Sequence, residues 1–217
     1  MNSSVRTETV SERQPASVAP VLPLAILESM RAHDRPSEIL EDEDLTVSLP
    51  RRLGLASVID AQIQRYRQAL RRGKPVPARE VIDLVRLVLR RPDAEAILRE
   101  AGHQIVQRDF GDLSSVARIA LRILPASASL AAIRRTARKA LRRLLGGGTV
   151  EFTTRPFAAR ISGAFTTELD SSGTTCLVYA GVLEEVLSRY SGQQRSLPHP
   201  RCTARGDAFC EWILSES

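Results

Sequence analysis

LRRLLGGGTVEFTT, residues 141–154, is where the chain changes period. Upstream of Gly146 the apolar residues recur at helical spacing, and downstream Val150 and Phe152 stand two apart, as in a strand with one face turned to a core. Gly146, Gly147 and Gly148 terminate the helix and act as a hinge. The expected fold is α+β: a helical N-terminal half, then a small antiparallel sheet with a C-terminal helix and a hairpin.

Upstream of the hinge, SLAAIRRTARKALRRLL (129–145) sets Leu130, Ile133, Ala137, Leu141, Leu144 and Leu145 mostly on one side. Arg134, Arg135, Arg138, Lys139, Arg142 and Arg143 lie along another. SSVARIALRILP (114–125) reads as a helix ended by its proline, and DAEAILREAGHQIV (93–106) as one capped by Asp93. PAREVIDLVRLVLRRP (77–92), LASVIDAQIQRYRQALRRG (55–73) and VLPLAILESMRAH (21–33) complete the helical half. Downstream of the hinge, residues 149–170 form one bent strand or two paired ones. Thr174 or Thr175 caps a helix through CLVYAGVLEEVLSRY (176–190), Gly192 closes it, and strands near 194–204 and 208–214 make a terminal hairpin.

With 43% hydrophobic residues but only 4% aromatic ones, the core must be built from Leu, Ile, Val and Ala, which favours helix. No apolar run reaches the roughly 18 residues of a membrane span. Residues 1–20 are polar, lack a signal-peptide core and read as a disordered leader of a cytoplasmic protein. Residues 21–147 follow as a mainly helical region and 148–217 as an α+β region. The net charge of +6 is uneven: EILEDEDL (38–45) is acidic, whereas 113–150 carries eight Arg or Lys and no Asp or Glu. An odd count of three cysteines in a reducing compartment argues against a disulfide framework.

All three thiols fall in the last fifth of the chain, two of them in HPRCTARGDAFCEW (199–212). A hairpin turning at Arg205, Gly206 and Asp207 pairs Ala204 with Ala208, and so sets Cys202 directly opposite Cys210 on one face. Cys176, at the start of the preceding helix, can supply a third sulfur, and His199, held between Pro198 and Pro200, a fourth donor. Spacing alone leaves three readings open: a metal site, buried small hydrophobes, or reactive thiols.

CLVYAGVLEEVLSRYSG followed by HPRCTARGDAFCEWIL resembles the 4-vinyl-reductase domain, through Cys176, Cys202, Gly206, Asp207, Cys210, Trp212 and Ile213. The resemblance covers about residues 148–214. Similar sensor domains of phenol-responsive bacterial activators bind zinc through three such cysteines and a glutamate three residues before the middle one. Here that position is His199, a departure from the pattern that is chemically tolerable because imidazole is a good zinc ligand. The resemblance implies one structural zinc on Cys176, His199, Cys202 and Cys210, stapling helix to hairpin. It further implies a bacterial sensor or adaptor that binds a small apolar ligand and signals through a homodimer or another protein, because no output domain is visible. A tetrapyrrole-handling or vinyl-reductase-related role comes second, without a cofactor motif to support an enzyme. A basic adaptor binding nucleic acid or protein comes third.

The plainer reading of the stripe at Arg134, Arg135, Arg138, Lys139, Arg142 and Arg143 is a solvated face; a partner surface is the alternative, and nucleic acid is disfavoured because no recognition motif accompanies it. His103 reads as an ordinary helix-end histidine rather than a haem ligand. Glu184 and Glu185, adjacent on a helix, point about 100° apart and do not form a catalytic pair. GGG without a following Lys-Ser/Thr is no phosphate loop.

Overall fold

A computed structural model describes residues 15, 17–34, 45–111, 126–192 and 196–215. The chain is α+β, with six α-helices among the described residues and a three-stranded antiparallel sheet. In chain order the elements are β1 (Ser17–Val18), α1 (Val21–His33), α2 (Leu45–Arg71), β2 (Val76–Pro77), α3 (Ala78–Leu89) and α4 (Ala94–Phe110). They continue with α5 (Ala126–Arg142), β3 (Thr149–Thr154), β4 (Phe157–Ser162), α6 (Leu177–Ser191) and β5 (Cys210–Ser215). The helix expected over 114–125 and the acidic residues 38–44 lie outside the described residues.

Helix α1 buries nine of its residues, from Val21 to Met30, and keeps only Glu28 and its last turn at the surface. A helix of that kind belongs inside a core rather than on its surface. Pro23 is tolerated because it falls in the first turn, where its missing N–H has no intrahelical partner. Ser29 is also buried, and its hydroxyl donates to the Ile97 carbonyl at 2.9 Å, tying α1 to α4. No helix among the described residues is long and apolar enough to cross a membrane.

Helix α4 then meets α6 at backbone distance. A Cβ built on Gly102 would collide with the Val178 carbonyl and lie 2.8 Å from the Val182 nitrogen; one on Gly181 would collide with the Arg99 carbonyl. Glycine at both positions lets the two helices touch main chain to main chain. One continuous core therefore runs from Val18 to Leu214, across the hinge at 146–148.

In the sheet β4 is central, with Thr149 opposite Ser162 on one side and Ile161 opposite Cys210 on the other. Phe157, Ala158, Ala159 and Ile161 are all buried, so alternation is lost where both faces are covered. Two paired strands thus occupy the first part of 149–170, but the chain leaves the sheet at Ser162 and turns into a 3-10 segment, Thr167–Leu169.

Several local expectations need correction. Ser17 and Val18, inside the stretch read as a leader, pair with Pro77 and Val76. Asp93 does not cap α4 with its side chain; its carboxylate is held by Arg91 at 2.8 and 2.9 Å. His103 is not at a helix end, since α4 continues to Phe110. Helix α2 starts at Leu45, ten residues before the expected boundary.

Candidate metal centre

Three separate pieces of backbone deliver the three thiols. Cys176 occupies the N-cap of α6, at the end of the 3-10 turn Thr174–Cys176. Neither expected threonine hydroxyl caps this end. Asp170 does so instead, accepting from the Ser172 N–H at 2.8 Å and the Thr175 N–H at 3.1 Å. Gly173 precedes the turn at φ +87, and a Cβ there would lie 2.8 Å from Cys202 Sγ. That position is glycine for two reasons at once, its left-handed backbone and the sulfur beside it.

The hairpin holding Cys202 and Cys210 is less regular than its sequence suggests. Only Cys210–Ser215 is a strand, and it pairs mainly with β4. Pro198 and Pro200 remove two N–H groups from the other arm, which cannot form a ladder and keeps a single bridge, Arg201 opposite Glu211. The bridge nevertheless preserves the expected register, with Cys202 facing Cys210. The turn is a 3-10 segment, Thr203–Arg205, closed by Gly206 at φ +98. The Cys202 carbonyl accepts from the Arg205 and Asp207 N–H groups at 2.9 and 3.2 Å, and the Cys202 N–H donates to Asp207 Oδ2 at 2.7 Å.

These segments bring the four expected donors together. Cys176 Sγ lies 3.6 Å from Cys202 Sγ and 3.7 Å from Cys210 Sγ, and with a His199 ring nitrogen all four donor atoms fall within 4.8 Å of one another. The three cysteines are fully buried and free of disulfides. His199 Nε2 is buried too, without a hydrogen-bond partner, which is costly for an imidazole nitrogen with nothing to bind. Its ring lies parallel to Trp212 at 4.4 Å, and Trp212 meets Tyr179 edge-on at 6.2 Å, so the imidazole is fixed by packing. The group is one that could hold a metal ion.

The electrostatics of the trio fit that purpose. The Cys210 thiol is held below the ordinary thiol range, first by the hydrogen bond from Cys176 and, against the opposing effect of burial, by His199 and Thr203. The same Cys176–Cys210 bond, together with burial, pushes Cys176 well above the ordinary thiol range. Without a cation, three sulfurs this close cannot all ionise. The Thr203 N–H donates to Cys210 Sγ at 3.3 Å, an outer contact that orients a thiolate.

The other candidates divide. Arg134, Arg135, Arg138, Lys139 and Arg142 line one groove of about 530 Å³ with Ala131, whereas Arg143 turns away to pair with Asp109. Glu185 pairs with Arg189 along α6, while Glu184 points the other way into a part-buried cluster with Arg99 and His103. Burial pushes the Glu184 carboxyl up, but hydrogen bonds from His103 and Arg99 outweigh it and hold the group below its ordinary value. For His103 burial lowers the pKa, and the Glu184 bond with the nearby Glu100 and Glu185 charges outweighs that and raises it. Sequence reading missed this cluster and the Asp170 cap; the first joins residues 81 and 85 positions apart, and the second carries only the weak local signal of an Asp before Ser-Ser-Gly. Compared with family models, with curated proteins and with solved structures, the chain matches none.

Proposed function

We propose that this chain is a ligand-sensing or adaptor module of the 4-vinyl-reductase kind, stapled by one structural zinc. The observation that carries the reading is the convergence of Cys176, His199, Cys202 and Cys210 from three separate segments, with His199 Nε2 buried and unpartnered among them. Tetrahedral zinc with metal–sulfur bonds of about 2.3 Å separates its sulfurs by roughly 3.8 Å; the distances from Cys176 are 3.6 and 3.7 Å. Three thiolates and an imidazole are a zinc donor set, and softer than magnesium or calcium would select.

When bound, the ion supplies a closed four-donor junction with no position left for substrate, so its chemistry is structural. The residues do the rest. Cys176 fixes the start of α6, Cys202 and Cys210 fix the turn, and His199, clamped on Trp212, closes the set. The sensor role, with a small apolar ligand and signalling through a dimer or partner protein, rests on the resemblance across residues 148–214.

Elemental analysis together with a thermal-shift screen of small apolar compounds tests both halves. One zinc per chain and a raised melting temperature with some apolar compound are expected. Absence of zinc would remove the staple, and zinc without any stabilising compound would remove the sensor.

A further inference from the structure

The chain buries one carboxylate that the metal donors do not use. Glu184, on α6, is 8% exposed and collects donors from two other segments. Arg99 and His103, one turn apart on α4, reach Oε1 and Oε2, the histidine at 3.4 Å. The third donor is a backbone group: the Leu197 N–H lies 3.2 Å from Oε1. Leu197 is itself buried and stands two residues before His199.

Residues 197–201 contain two prolines and so have few N–H groups to fix them. Their carbonyls are tied towards the hairpin: Pro198 accepts from the Ile213 N–H at 3.0 Å, Arg201 from the Glu211 N–H at 3.0 Å, and His199 from the Arg205 guanidinium at 2.9 Å. The Leu197–Glu184 bond runs the opposite way, to the α4/α6 layer, and spans from a buried charge-paired carboxylate to the segment carrying the fourth donor. Outer groups of this kind set the orientation of a metal ligand without touching the metal.

We propose that Glu184 is a positioning residue for the metal centre: by holding Leu197 it sets His199 against the three sulfurs, and through Arg99 and His103 it links that ligand to α4. The proposal rests on the metal reading above. It distinguishes the acceptor oxygen, which holds Leu197, from the negative charge, which answers Arg99 and His103.

The full chain loaded with cobalt(II) in place of zinc tests it, read by the thiolate-to-metal band, the d–d bands and zinc affinity against a chromophoric chelator. Glu184→Gln keeps an acceptor oxygen and should retain the wild-type spectrum and an affinity within about threefold. Glu184→Leu removes the acceptor and should weaken zinc binding by about 10- to 100-fold, shifting the d–d bands while the thiolate band persists. Should Glu184→Leu fail to fold, Leu197→Pro removes the same N–H and leaves Glu184 with Arg99 and His103; it should show the same loss. Wild-type spectra and affinity in the folded Leu and Pro variants would overturn the proposal, as would a Gln variant that loses as much as the Leu one. If the unmodified chain binds neither cobalt nor zinc, the metal reading itself fails, an outcome distinct from these.

Discussion

Helix α1 and the turn from Cys202 to Cys210 both put side chains at the centre of the molecule, by opposite means. In α1 nearly every residue from Val21 to Met30 is buried, so stability is spread over many apolar contacts. Between Cys202 and Cys210 none of the seven intervening residues is buried, yet both sulfurs are at 0% exposure. They are covered from outside, by the start of α6 and by Gly173. Distributed burial tolerates a volume-conserving change at any one position, whereas the turn depends on a few atoms meeting at one point.

The largest effect should come from breaking that point. Cys176→Ser or Cys202→Ser should abolish stoichiometric zinc and lower stability by about 5 kcal/mol or more, since structural zinc in small domains contributes on the order of 10 kcal/mol. Leu24→Met in α1, a swap of similar volume, should cost less than about 1.5 kcal/mol. Thermal denaturation with parallel metal analysis makes the comparison, and near-equal losses would dissolve the contrast.

Next comes the seam that joins the two regions. Gly181→Ala places a Cβ against the Arg99 carbonyl, and Gly102→Ala one against the Val178 carbonyl, so α4 and α6 must part. Each should cost about 3 kcal/mol, read by urea denaturation. A neutral alanine at either site would show that the helices do not need backbone contact.

A smaller, pH-dependent effect belongs to the Glu184 cluster at the same seam. The depressed carboxyl contributes stability present above its unfolded pKa of about 4.3 and lost as pH falls through the lower folded value. The raised imidazole contributes stability fully present below about pH 6.5 and lost as pH rises through its higher folded value. The difference in urea midpoint between the wild type and His103→Gln should therefore be largest below about pH 6.5 and shrink as pH rises above it. Smallest of all, Arg135→Ala, on the exposed face of α5, should move stability by no more than about 0.5 kcal/mol.

The two regions also differ in how much of each could be read from sequence. The helices show as apolar periodicity, and the change at 146–148 marks the sheet, because both are local patterns of 3.6 and 2 residues. The facing of Cys202 and Cys210 was legible because an odd number of residues and Gly206 set their register, which the bridge at Arg201 and Glu211 keeps even where the prolines prevent a ladder; Cys176 and His199 had no such local signal, and their place beside the pair came from the resemblance. The glycine seam was hidden, since Gly102 and Gly181 have no local signature and acquire meaning only when two distant helices cross. Glu184 was hidden for the same reason: helix geometry shows only that it points away from Glu185, and its partners lie on α4, far off in sequence. The caps failed differently. At Asp93 and at Thr174 or Thr175 a suitable residue stood in the right place, but Arg91 in one case and Asp170 in the other made the better bond.

X-ray absorption at the zinc edge of the purified chain addresses the central claim most directly, because it counts donors as well as metal. Three sulfurs at about 2.3 Å and one nitrogen at about 2.0 Å, at one zinc per chain, is the predicted shell. A chain free of metal, or a zinc shell of oxygen and nitrogen without sulfur, would contradict it.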